Sequence, residues 1–250
     1  MNLKSILLYP IGNTEAVRFA VSLLHKQGIP IIDHPAPEVT HLLLDVPSFT
    51  DDGHLRSGGD VENDLERLPP SITVAGGNLS HPSLEDYRIM DFLQDENYLC
   101  ANAAITADCA LQVAAPMLKT TFADTPILII GWGRIGKCLA KILKGFGTDV
   151  TVAARKEKNR AMLTALGCRA VDYGTSLAPY QLIFNTVPAP VFTRENQPHK
   201  DCIKIDLASE LGLWGEDVIS ARGLPGRYAP ESSGRLIAET FLRLYREGQK

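Results

Sequence analysis

Along nearly its whole length the chain alternates short apolar runs with stretches whose apolar residues recur every three or four positions. A short continuous apolar run between turn residues predicts a strand buried on both faces of a parallel sheet, and the longer period predicts a helix with one buried face. Residues 5–9 predict a strand. Gly12-Asn13-Thr14 then opens a helix with Val17, Ala20, Val21 and Leu24 on one face, capped by Asn13 or Thr14 and terminated at Gly28. Further strands are expected at 29–32, 41–46 and 72–75, with a polar surface loop over 50–60. Ala107, Ala110, Leu111, Ala114 and Leu118 predict a helix from 106 to about 122, kinked at Pro116.

The second half supplies six strand candidates, at 127–131, 149–153, 169–171, 182–186, 202–206 and 218–221. A last helix from about Ser232 carries Ile237, Thr240, Phe241 and Leu244 on one face. The expected organisation is a small α/β domain over 1–105, a linking helix over 106–123 and a nucleotide-binding domain over 124–230. Residues 231–250 return to the first domain, leaving a cleft between two lobes. The fold class is α/β: a doubly wound parallel sheet of the Rossmann type plus a smaller flavodoxin-like domain.

The chemistry is concentrated where the first of the six strands meets its helix, at Gly131-Trp132-Gly133-Arg134-Ile135-Gly136. A GxGxxG between a buried strand and a helix with Leu139, Ile142, Leu143 and Phe146 on one face is far more specific than the bare spacing. Gly131 permits the tight turn, Gly133 lets a diphosphate approach the backbone, and Gly136 lets helix and strand pack closely. Gly145 and Gly147 can end the helix. The diphosphate would sit on the positive helix N-terminus.

About 20 residues on, where an NAD site places a carboxylate for the ribose 2′-hydroxyl, the chain has Arg155-Lys156. A guanidinium holds a 2′-phosphate in two-pronged fashion, so NADP is expected over NAD. A solvated basic turn is the plainer alternative.

Bulk composition narrows the partners. With 250 residues, 45% apolar content and a net charge of −4, the chain has the make-up of a soluble globular protein, and neither nucleic acid nor a membrane is expected as a partner. Its start, Met1-Asn-Leu-Lys-Ser, enters a strand without a signal-peptide pattern. The five cysteines are scattered without CxxC spacing. Reduced thiols in a cytoplasm are expected, and no metal site.

Three later motifs, Phe184-Asn185-Thr186-Val187-Pro188, Ile205-Asp206-Leu207-Ala208-Ser209 and Gly223-Leu-Pro-Gly226 followed by Ala229-Pro230, together with the run from Tyr98 to Ala110 and the fingerprint, resemble the family of dipicolinate synthase A subunits. That family is related in layout to two-domain D-2-hydroxyacid dehydrogenases. The resemblance implies an NADP-dependent oxidation of a cyclic dihydrodipicolinate-type precursor, with loss of water, to pyridine-2,6-dicarboxylate. It also implies a small dicarboxylate substrate, a flavoprotein-like B subunit as partner and a setting in spore formation. A homo-oligomer is expected as well.

The chain departs from the family pattern at Ala107-Asp108-Cys109, at Glu210-Leu-Gly-Leu-Trp214 and at Ala229-Pro-Glu231-Ser-Ser-Gly234, where an anion replaces the family's lysine.

On this reading Asn185, Thr186, Val187 and Pro188 meet the ribose or diphosphate, and Ala208 walls the nicotinamide. Asp206 is equally a structural acceptor. Gly77 and its neighbours offer amides to an anion. Asn102 and Thr106 sit where a helix N-terminus favours a substrate carboxylate, and Arg222 or Arg227 clamps one. Asp108, Ser209 and Glu231 are the catalytic candidates, the two carboxylates needing burial to serve as acid or base near neutrality. Two other readings stand beside this one: a dehydrogenase of a small 2-hydroxy or 2-oxo acid, and a non-catalytic NADPH-binding partner subunit.

Overall fold

The computed structural model describes residues 3–58 and 61–249. Met1, Asn2, the last two residues of the expected 50–60 loop, and Lys250 lie outside them. Contacts divide the chain into two units, Met1–Asn102 with Ala229–Lys250, and Ala103–Tyr228.

The first unit is built on four parallel strands, β1 (Leu8–Pro10), β2 (His41–Leu43), β3 (Thr73–Gly76) and β4 (Arg88–Asp91), paired in that order. The expected strand at 29–32 shrinks to a single bridge between Leu8 and Ile31 on the other side of β1. Pro30 has no amide hydrogen to continue the ladder, so only its carbonyl takes part, accepting from Leu8 N at 3.0 Å. With that bridge counted, the order is that of a flavodoxin-like sheet whose second strand is vestigial. β4 escapes the pattern because it is a half-exposed edge strand, Arg-Ile-Met-Asp, with no apolar run.

Helix α1 (Glu15–Lys26) starts at Thr14, whose hydroxyl accepts from Val17 N, and stops before Gly28, which takes a φ of 87°. A short helix, α2 (Val61–Leu65), covers a second core with Leu42, Leu44 and Ile72.

Helix α3 (Glu96–Ala114) begins ten residues before the expected 106. Asp95 is its starting signal, its Oδ1 accepting from Tyr98 N at 2.7 Å. Pro116 does not kink the helix; the α-helix ends before it, and residues Ala115–Met117 form a 3₁₀ turn.

The second unit carries β5 (Ile127–Ile130), α4 (Arg134–Gly145), β6 (Val150–Ala153), α5 (Glu157–Ala165), β7 (Arg169–Val171), β8 (Leu182–Asn185), β9 (Ile203–Asp206), β10 (Val218–Ser220) and α6 (Leu224–Tyr228). All six strands are parallel and lie in the order β10-β9-β8-β5-β6-β7, the doubly wound arrangement with its switch point between β5 and β8. β5 is buried at every position, as its Ile-Leu-Ile-Ile run requires. Phe146, expected on the buried face of α4, is instead 53% exposed beyond the helix end. The stop is set at Gly147, at a φ of 80°.

Helix α7 (Pro230–Glu247) packs on α1 in the first unit, where Ile237, Ala238 and Phe241 meet Val17, Ala20 and Leu24. Gly234 makes the close approach possible. A Cβ there would run into the Ala16 carbonyl and lie 2.9 Å from Phe19 Cβ. Among the described residues, no helix is long and apolar enough to cross a membrane, and all five cysteines are free thiols.

Candidate functional site

The switch point of the second unit assembles the glycine cradle. Gly131 follows β5 with a φ of 103°, and a Cβ there would collide with Thr186 Oγ1 and lie 2.8 Å from Val187 Cγ2. A Cβ on Gly136 would strike the Gly131 carbonyl, so α4 can seat against β5 only with glycine there. Gly133 differs from both: a Cβ would meet nothing within 4 Å. Gly133 is also the N-cap of α4 and has no side chain to cap the first-turn amides, with Arg134, Ile135 and Gly136 following it. Open space over a helix N-terminus with no capping side chain can accommodate an anion.

Beside the cradle lies a cavity of about 390 Å³, lined by Trp132, Ala154, Arg155, Lys156, Asn159, Tyr173, Val187, Ala189 and Val191. It brings together Trp132, Arg155, Lys156 and Val187 from the sequence reading. Arg155 and Lys156 are exposed. Arg160 fixes the turn that presents them, its Nη1 donating to the carbonyls of Ala154 and Arg155 at 2.8 Å each. Burial pushes the Tyr173 hydroxyl up in pKa, with the Arg155 charge pulling the other way.

Sequence reasoning missed Asn159, Arg160 and Tyr173. Asn159 lies in the first turn of α5, which the turn at Arg155–Lys156 leads into. Tyr173 comes from the loop after β7 and left no local sign.

Other expectations are corrected. The Asn185 side chain is 1% exposed and fully engaged: Nδ2 donates to the Val187 carbonyl and to Asp206 Oδ2, and Oδ1 accepts from Val187 N. Thr186 Oγ1 donates to the Ile130 carbonyl at 2.9 Å. Both side chains brace the scaffold under the cradle. Pro188 is exposed and does not line the cavity.

Asp206 is the structural acceptor. Buried completely, it receives Ala208 N at 3.0 Å, Gly212 N at 2.9 Å, Leu213 N at 3.1 Å and Asn185 Nδ2 at 2.9 Å. Its carboxylate thereby ties the loop after β9 to the loop after β8, and Ala208 is buried beside it. Within the altered Glu210–Trp214 segment, a Cβ on Gly212 would come within 2.7 Å of the Ala189 and Val187 carbonyls, and Trp214 Nε1 donates to the Phe192 carbonyl.

The anion seat expected at Gly77 is already filled by the protein. Gly77 N donates to Ser48 Oγ and the Asp45 carbonyl, while Asn78 N and Leu79 N donate to the Asp91 carboxylate. Gly77 is glycine for packing, since a Cβ would lie 2.6 Å from Val46 Cγ1.

Asn102 and Thr106 lie inside α3, beyond its first turn, so neither meets a helix N-terminus. Asp108, Ser209 and Glu231 are exposed. Glu231 sits in the first turn of α7, where its charge complements the helix dipole. Arg222 is exposed, and Arg227 lies over the Tyr228 ring at 5.8 Å, on a short helix instead of the expected rigid turn.

Comparison with known proteins agrees with this geometry. Residues 100–197 match the family model described as D-isomer specific 2-hydroxyacid dehydrogenase, NAD binding domain. The chain is 23% identical over 243 residues to the A subunit of dipicolinate synthase from Bacillus subtilis, covering 86% of this chain and 80% of that protein. The crystal structure of the dipicolinate synthase A subunit from Bacillus halodurans superposes with a TM-score of 0.79 at 19% identity, covering 98% of this chain and 99% of that one. D-lactate dehydrogenase from Escherichia coli superposes at 0.56 with 12% identity, over 97% and 96%. The resemblance read from the motifs is borne out as homology to the dipicolinate synthase A subunit, and the chain is a dehydrogenase-type, NAD(P)-dependent oxidoreductase.

Proposed function

We propose that this homologue of the dipicolinate synthase A subunit uses NADP to oxidise a dihydrodipicolinate-type precursor to pyridine-2,6-dicarboxylate. The observation that carries the reading is the position of the shared motifs. Phe184–Pro188 and Ile205–Ser209 run off the carboxyl ends of β8 and β9, next to the strand-order switch where a doubly wound sheet binds its nucleotide. Bound NADP would accept the two electrons of this oxidation as hydride, with Gly131–Gly136 and Arg155–Lys156 as the residues that would hold it. The cofactor supplies the redox chemistry, and the chain positions it.

Arg155 and Lys156, at the open cavity beside the cradle, support NADP over NAD through a 2′-phosphate contact. The reading carries with it a flavoprotein-like partner subunit, cytoplasmic location and a role in spore formation. Arg222 and Arg227 remain the carboxylate-binding candidates of this proposal.

Two other readings draw on particular observations. The domain match over 100–197 favours a dehydrogenase of a small 2-hydroxy acid. Against it, the start of α7 offers Glu231 and no imidazole for general acid–base work. The exposure of Asp108, Ser209 and Glu231 favours a non-catalytic NADPH-binding subunit.

One assay separates the three. The chain is mixed with NADP and the precursor, with and without the flavoprotein-like partner, and the absorbances of NADPH and dipicolinate are followed. Growth of both supports the proposal. Oxidation of simple 2-hydroxy acids alone supports the second reading, and NADPH binding without turnover of either substrate supports the third.

A further inference from the structure

Between α4 and α5 the second unit has a groove of about 1040 Å³. Lys137, Lys141 and Lys144 line it from α4 at a spacing of four and then three residues, which places them on one helix face. Lys156 and Lys158 line it at the start of α5. All five are exposed, and no Asp or Glu lines the groove, in a chain whose net charge is −4.

Between the lysines runs an apolar strip. Met162 and Leu166 stand four residues apart at 55% and 52% exposure, and Trp132 closes one end. Two large apolar side chains held in water on one helical face, next to a row of cations, leave a surface that gains by being covered. A partner that covers them recovers roughly 25 cal/mol for each Å² removed from water.

We propose that this groove docks an acidic amphipathic helix of a partner protein. The apolar stripe of such a helix would lie on Met162, Leu166 and Trp132, with carboxylates on its flanks reaching the lysines. α4 has 12 residues and so spans about 18 Å, room for roughly three turns of a docked helix. A phosphate-rich ligand would use the lysines but leave the Met162–Leu166 strip in water, so the two chemistries together select the amphipathic partner.

Trp132, Lys156 and Asn159 line both this groove and the nucleotide cavity. A 2′-phosphate in the cavity would claim Lys156, one of the cations that a docked carboxylate would use, so docking and cofactor binding weaken each other. This coupling rests on the cofactor reading above; the docking itself does not.

The test uses the full chain and three probes: a fluorescent three-turn peptide with leucines on one face and glutamates on its flanks, a scrambled peptide of the same composition, and inorganic polyphosphate. The patterned peptide should bind with a Kd on the order of 10 μM, weakening when NADPH is present. Lys141→Glu with Lys144→Glu should weaken it at least about tenfold, and Met162→Ser severalfold, on salt-screened and apolar grounds respectively. None of these three positions lines the nucleotide cavity, so NADPH binding should persist and certify the fold of each variant.

Docking is overturned if the patterned peptide fails to bind at about 1 mM, if the scrambled peptide or polyphosphate binds as tightly, or if neither variant changes the affinity. Peptide binding that ignores NADPH overturns the coupling and leaves docking standing. Loss of NADPH binding by the unmutated chain would sink the cofactor reading without touching the peptide result.

Discussion

In the proposed function, cofactor choice turns on Arg155. It stands at the open cavity beside the cradle, on a turn pinned by two hydrogen bonds from Arg160. A charge-assisted hydrogen bond contributes about 1.5–3 kcal/mol, so Arg155→Asp should weaken NADPH binding roughly ten- to hundredfold and NADH binding far less. Titration calorimetry with both cofactors checks this, and equal losses would show that Arg155 does not read a 2′-phosphate.

Asp206 makes an opposite kind of contribution, wholly internal. Asp206→Ala strands three backbone amides and the Asn185 amide in a buried setting. At about 1–3 kcal/mol for each unpaired buried group, with partial relaxation, a loss of at least ~3 kcal/mol is expected in urea unfolding. A loss below ~1 kcal/mol would mean that the two loops hold together without the carboxylate. The sequence showed that Asp206 mattered and left its role open. Only the fold brings Gly212, Leu213 and Asn185 around it. The exposure of Glu231 and Asp108 was hidden for the same reason, because whether a carboxylate is buried depends on what packs over it, and no local pattern encodes that.

At the scale of elements, the buried strands of the second unit were legible almost to the residue, since a strand covered on both faces must be continuously apolar. β4 was invisible because an edge strand is free of that demand, and 29–32 was overread because Pro30 removes the amide that a true strand would use. The start of α3 was misplaced because its signal is a single Asp95 cap, not a periodicity. The glycine fingerprint was the most reliable element, and its geometry makes a prediction. In Gly136→Ala, the new methyl group meets the Gly131 carbonyl, forcing α4 away from β5. Cofactor affinity should fall at least about tenfold and stability by roughly 1–3 kcal/mol. Gly133→Ala meets no protein atom, so it should leave thermal stability nearly unchanged while still weakening the cofactor. Equal destabilisation by both would contradict the division of labour between packing and ligand approach.

For the molecule as a whole, acid sensitivity has an identifiable source in the first unit. His41 is buried between the rings of Phe241 and Tyr245, and burial, helped by the Arg88 charge, lowers its pKa from 6.5 to about 4. Between those values the unfolded chain binds a proton that the folded chain refuses, so stability rises with pH across the window. The contribution is fully present above about pH 6.5 and is lost as pH falls toward 4, amounting to roughly 3 kcal/mol at the extreme. His41→Gln should flatten that part of the stability–pH curve; an unchanged slope would assign it elsewhere.

The account as a whole rests on a nicotinamide dinucleotide seated on Gly131, Gly133 and the start of α4. Titration calorimetry of the full chain measures this directly: one site per chain is expected, with NADPH binding more tightly than NADH. No heat from either coenzyme, reduced or oxidised, would contradict it.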